Sequence, residues 1–183
     1  MCTSVRQRGI SLIELIMFIV IVSTALAGIL AVMNVTTRGS ADPLVRKQAL
    51  AIAESLLEEV ELMPFTFCDP DDPAAGTAMG VGGCAVPEVI GVENDVSRYD
   101  AALPFDNVSD YNMFGMAAGT TLDITGTNTG VAGYAAAVAV APVAMAGVAA
   151  GDALLITVTV TGPDGVPIAV DGMRTRYAPR ALP

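Results

Sequence analysis

Residues 8–33 read RGISLIELIMFIVIVSTALAGILAVM. Ile10 to Met33 is a block of 24 residues with a single charge, Glu14. At about 1.5 Å per residue, such a helix is roughly 36 Å long and crosses a bilayer core of about 30 Å. A carboxylate inside an apolar span is costly and is usually there for a purpose. The plain alternative is a single-span anchor whose glutamate reaches up to the interface. Met1 to Gly9 contain Arg6 and Arg8 and no acid. Positive charge beside an apolar segment stays cytoplasmic, so the remainder of the chain is expected outside the inner membrane. A secretory signal is cut after its apolar run, at an Ala-x-Ala-like site. Ser23-Thr24-Ala25 and Ala25-Leu26-Ala27 match weakly, but the apolar run continues past both.

Beyond Met33, residues 35–42 are polar and read as a hinge, with Asp42 as a helix N-cap and Pro43 in a first turn; within a continuous helix, Pro43 would instead cause a kink. Residues 43–63 read as an amphipathic helix. Val45, Ala49, Ile52, Leu56, Val60 and Met63 recur at steps of three and four, while Arg46, Lys47, Glu54, Glu58, Glu59 and Glu61 lie largely off that stripe. Pro64 ends it. Residues 64–132 are rich in Gly, Pro, Asp and Asn and predict loops with short strands. Residues 133–183 predict an antiparallel sheet. Tyr134, Val138 and Val140 form one strand, and Leu154, Ile156, Val158 and Val160 alternate with polar partners in a second. Gly162-Pro163-Asp164-Gly165 supplies a turn into a return strand, Val166 to Val170, which Met173 to Tyr177 extends. The expected fold is α+β. Its long N-terminal helix, membrane-crossing and then amphipathic, packs on a small antiparallel C-terminal sheet.

Arg8-Gly9-Ile10-Ser11-Leu12-Ile13-Glu14 and its apolar continuation resemble the prepilin peptidase signature of type IV pilins and the pseudopilins of type II secretion. The resemblance implies a leader, residues 1–9, cut between Gly9 and Ile10, and N-methylation of Ile10, which stands where the family usually has Phe. It also implies that Glu14 pairs with the free N-terminal amine of a neighbouring subunit during assembly. The physics agrees: each charge is costly in lipid alone, and pairing relieves both while fixing the register of two helices. A pilin-like architecture is implied as well. Asp42 to Glu54, Pro64-Phe65 before Cys68-Asp69-Pro70, the run Phe105 to Asn112 and the strand Ala153 to Thr161 are similar to the MshD family, minor pilins of the mannose-sensitive haemagglutinin (MSHA) pilus.

Composition excludes other classes. A net charge of −10 without a basic patch argues against nucleic-acid partners. The chain has no His, which removes histidine-based catalysis, a Ser-His-Asp triad and histidine metal sites. Cys68 and Cys84 are too far apart for a Cys-x-x-Cys redox motif. On export they are expected to form a disulfide, worth roughly 3 kcal/mol in the loop-entropy model; two unlinked thiols are the alternative. Asp69, Asp71 and Asp72 form one acidic run, and Asp106 and Asp110 a second pair. Closely spaced oxygens suit calcium, but the glycine and terminal glutamate of an EF-hand loop are missing, so solvated turn-forming aspartates are expected. No enzyme activity and no cofactor are expected.

The expected role is that of a minor pilin. Its partners would be the prepilin peptidase, other pilins through the N-terminal helix, and the inner-membrane assembly platform. The chain would sit in the inner membrane with its C-terminal part periplasmic, and at the cell surface after assembly. The alternatives are a type II secretion pseudopilin and a membrane-anchored periplasmic binding domain.

Overall fold

The computed structural model describes Gly9, residues 11–128 and residues 131–181, and for residues 37–42 the backbone alone. The leader residues Met1 to Arg8 and the expected methylation site Ile10 lie outside the described residues. Leu12–Leu62 form one helix of 51 residues, α1, with Pro43 inside it. Residues 35–42, expected as a hinge between two helices, are therefore helical. Pro43 removes one backbone donor, but extending an existing helix is far easier than nucleating a second one.

The chain divides into two compact units, one ending at Leu44 and one beginning at Val45. In the first, Leu12–Thr36 is a stretch of 25 residues with mean hydropathy 2.8 and no buried residue. Its threonines need no water. The Thr24 hydroxyl donates to Val20 O and Ile21 O at 3.0 Å, and the Thr36 hydroxyl to Val32 O at 2.9 Å.

The second unit holds the core. Four antiparallel strands follow in sequence order: β1 (Gly115–Met116), β2 (Ala135–Pro142), β3 (Ala153–Thr161) and β4 (Pro167–Thr175). Val138 faces Val158, and Val158 faces Val170, so alternate positions point to one side. On that side Ala136, Val138 and Val140 of β2 and Leu154, Ile156, Val158 and Val160 of β3 are buried in one cluster with Ala49, Ala53, Leu56, Leu57 and Val60 of α1. The buried stripe is rotated from the expected one. Ala53 and Leu57 lie inside it, while Val45, Ile52 and Met63 sit at its margin. Two alanines let α1 approach the sheet closely. Gly172 of β4 completes the fit, since a Cβ there would meet Leu57 Cδ1 at 2.8 Å.

The expected return strand and its extension are a single strand, β4. Its turn closes with Gly165 N donating to Gly162 O at 2.9 Å and Gly165 at φ 73°. The region 64–132 also contributes a strand, β1, paired to β2 at Gly115↔Ala137 and Met116↔Ala136. Two residues carry no readable alternation, so only the pairing reveals it.

Candidate functional site

Glu14 lies in the first turn of α1, three residues after Ser11, and Leu15 N donates to Ser11 O at 3.1 Å. A carboxylate there is favoured by the positive end of the helix dipole. Ser11-Leu12-Ile13-Glu14 also has the spacing of a capping box, a local signal that the sequence reading passed over. The large apolar side chains that follow, from Leu15 to Val35, are exposed. This stretch is long and apolar enough to cross a membrane, a property that anchors and signal sequences share.

The second constellation lies in the loop-rich region. Cys68 and Cys84 form a disulfide with Cα atoms 5.3 Å apart. The neck of this loop is held by Asp69 N to Val86 O at 3.1 Å and Glu88 N to Phe67 O at 3.0 Å. Asp72 belongs to the same neck. Its carboxylate accepts from Ala74 N at 2.7 Å and Val86 N at 2.6 Å, the Val86 bond first among the contacts that hold it below the usual carboxylate range. The three aspartates of the acidic run therefore part company. Asp69 and Asp72 both form turns, as expected, but are buried and not solvated. Asp69 accepts from Asp71 N at 2.8 Å and from Asn94 Nδ2 at 3.1 Å, and with Asp71 it also meets Asp106 from far along the chain.

Among the described residues, three trios of carboxylates converge here: Asp69, Asp71 and Asp106; Asp95, Asp106 and Asp110; and Glu88, Glu93 and Asp110. Within each trio one oxygen per residue lies within 4.8 Å of the others. Asp106 joins the first trio to the second, and Asp110 joins the second to the third. Among the described residues, the two ion pairs are Arg98–Glu59 and Arg176–Asp152, so neither neutralises any of these seven acids. Burial, and then the neighbouring carboxylates, push Asp106 up to about 7. Glu88 is pushed up to about 8 by burial, against a hydrogen bond from Ser109. Burial likewise raises Glu93, Asp95 and Asp110.

Asp110 sits in a short 3-10 turn, Val108–Tyr111, all of which is buried. Its Oδ2 accepts from Asn107 N at 2.7 Å and Asp106 N at 3.1 Å, while Oδ1 has no hydrogen-bond partner. Asn107 Nδ2 donates to Thr66 Oγ1 at 2.6 Å, and Val108 N to Pro64 O at 3.1 Å, which seats the turn against the end of α1. Next door, the Tyr111 hydroxyl and the Arg98 guanidinium both reach the Glu59 carboxylate. Asp69, Asp71, Asp106 and Asp110 stand out in the sequence as closely spaced acids, but Glu88, Glu93 and Asp95 do not. Those three lie in a stretch without periodicity, where acid density was the only available signal.

No family model, no curated protein and no solved structure matches this chain.

Proposed function

We propose that the chain is a minor pilin of the MSHA type, processed by prepilin peptidase and assembled into a filament through its N-terminal helix. The observation that carries this reading is one spacing. Gly9, preceded by the basic Arg8, stands five positions before Glu14 at the head of an exposed apolar helix. A plain anchor needs the apolar run but has no assembly role for a carboxylate in its first turns. A filament subunit gains a register-setting partner for the N-terminal amine that cleavage would create at Ile10. Before assembly the helix would hold the chain in the inner membrane with the sheet unit periplasmic; in the filament, its apolar face would pack on equivalent helices. The chain would be a substrate of the peptidase and not itself an enzyme.

Mass spectrometry of the N-terminus in sheared filaments tests processing and incorporation together. A methylated chain beginning at Ile10 is expected, and a chain still beginning at Met1 would overturn the reading. Glu14→Gln is expected to be cleaved normally but to enter filaments poorly. Should deletion instead abolish protein secretion and leave surface pili intact, the type II secretion pseudopilin would take its place.

A further inference from the structure

We propose that Asp95, Asp106 and Asp110, adjoined by Asp69 and Asp71, form a calcium site that ties together the long loops of the second unit. Calcium takes oxygen ligands at about 2.3–2.6 Å, so two ligands on opposite sides of the ion are about 5 Å apart. Carboxylate oxygens grouped within 4.8 Å therefore have the spacing of a coordination shell that lacks only its centre.

The second observation is Asp110. It is 1 % exposed, and Oδ1 has no partner although Oδ2 receives two backbone N–H groups. A buried carboxylate oxygen left unpaired is costly, and buried polar atoms are otherwise almost always satisfied. The groups around it are carboxylates, which cannot donate while ionised. A cation supplies the partner that Asp110 Oδ1 lacks. Among the described residues, the two ion-paired arginines are committed elsewhere, Arg98 to Glu59 and Arg176 to Asp152.

The donor set selects the ion. It consists of oxygens alone, which suits a hard cation. The ligands come from separate stretches: the disulfide loop, the segment at 95 and the turn at 106–110. Such an assembly fits the irregular coordination of calcium better than the strict octahedron of magnesium. Asp71 is exposed and Asp95 half-buried, leaving an entry path and room for water ligands. This region has little regular structure, and its other covalent and ladder ties are the disulfide and the isolated bridges Cys68↔Pro87 and Leu122↔Asn128. An ion in the Asp95, Asp106 and Asp110 trio would join the segment at 95 to the turn at 106–110, with Asp69 and Asp71 of the disulfide loop grouped on the same Asp106. The inference stands apart from the filament reading, because it concerns only the second unit.

The test uses the full chain in detergent, stripped with EDTA and titrated with calcium chloride to about 1 mM, the range of extracellular calcium modules. Calorimetric binding and a raised melting temperature are expected. Asp95→Asn is expected to weaken binding about tenfold or more, since affinity follows ligand charge. In EDTA the same variant should melt no lower than the parent, because it removes repulsion from Asp106 and Asp110. A carboxylate with a purely structural role would lower that melting temperature. Asp71→Asn, at an exposed position, provides a second variant and should also weaken binding. The inference is overturned by any of three results: no calcium-dependent heat or melting shift, equal stabilisation by magnesium at the same concentration, or unchanged calcium affinity in both variants.

Discussion

The Tyr111 hydroxyl donates to Glu59 Oε1 at 2.8 Å, joining the loop-rich region to α1 across 52 positions. The same carboxylate takes the Arg98 guanidinium, whose side chain is 4 % exposed and lies 5.2 Å from the Tyr99 ring centroid and 5.6 Å from that of Phe114. Glu59 is thus the one acid of α1 that reaches inward to a buried cation among the described residues. Tyr111→Phe removes one bond to a carboxylate that keeps its arginine and should cost about 1–2 kcal/mol. Glu59→Gln leaves Arg98 buried without its counter-charge and should cost about 3 kcal/mol or more. Denaturant unfolding in detergent measures both, and the reverse order of severity would contradict the arrangement.

How much of this was legible in the sequence follows from the range of the interactions. The apolar span, the alternation in β3 and the turn at Gly162 to Gly165 are local patterns, and the structure has them where the sequence places them. The face of α1 was read only approximately. Ile52 and Leu57 are equally apolar, and the choice between them depends on where β4 offers Gly172. The 35–42 segment carries genuine cap chemistry, yet helix runs through it on both sides. Asp69 and Asp71 were singled out as neighbours of Asp72, but their partner Asp106 is remote and was read as half of another pair. A cluster assembled from loops leaves no periodic trace, so its members look like ordinary turn-forming acids until the backbone brings them together.

The disulfide closes a loop with a sequence separation of 16, and Ala75 and Ala78 pack with Cys68 in a small cluster of their own. The loop-entropy model assigns such a link roughly 3 kcal/mol. Replacing both Cys68 and Cys84 by Ser should lower stability by about that amount. The neck bonds from Asp69 and Glu88 and the Asp72 carboxylate still hold the loop's base, so the second unit should remain folded. Unfolding midpoints with and without reductant would show it, and a parent chain indifferent to reductant would count against the link.

Gly172 faces the side of α1 that carries Leu57 and Glu61. A Cβ would stand 2.8 Å from Leu57 Cδ1 and would also press on the Glu61 carboxylate. Gly172→Ala should cost about 1–3 kcal/mol through overpacking, although alanine normally suits a strand better than glycine. Gly82→Ala serves as the control, since nothing lies within 4 Å of the added atom, and it should fall within about 0.5 kcal/mol of the parent. Equal melting temperatures for the two variants would mean that helix and strand are not in close contact at Gly172.

The carboxylate cluster sets a pH dependence of unusual sign. Burial first, and mutual repulsion second, hold Asp106 near 7 and Glu88 near 8, against ordinary values of 3.8 and 4.5. Glu93, Asp95 and Asp110 shift in the same direction. As pH rises from about 4 to about 8, the unfolded chain releases these protons while the folded chain retains them. The folded state then binds more protons than the unfolded one, and stability falls with rising pH. Most proteins gain or hold stability over this interval. Asp72, Asp100 and Asp123 are shifted downward, so their contribution is lost only as pH drops below about 4, outside that window. In EDTA the melting temperature should therefore be higher at pH 5 than at pH 8. Calcium should flatten the difference, because an ion favours the ionised carboxylates that bind it. A melting temperature that rises from pH 5 to pH 8 in EDTA would show that these acids are not buried together.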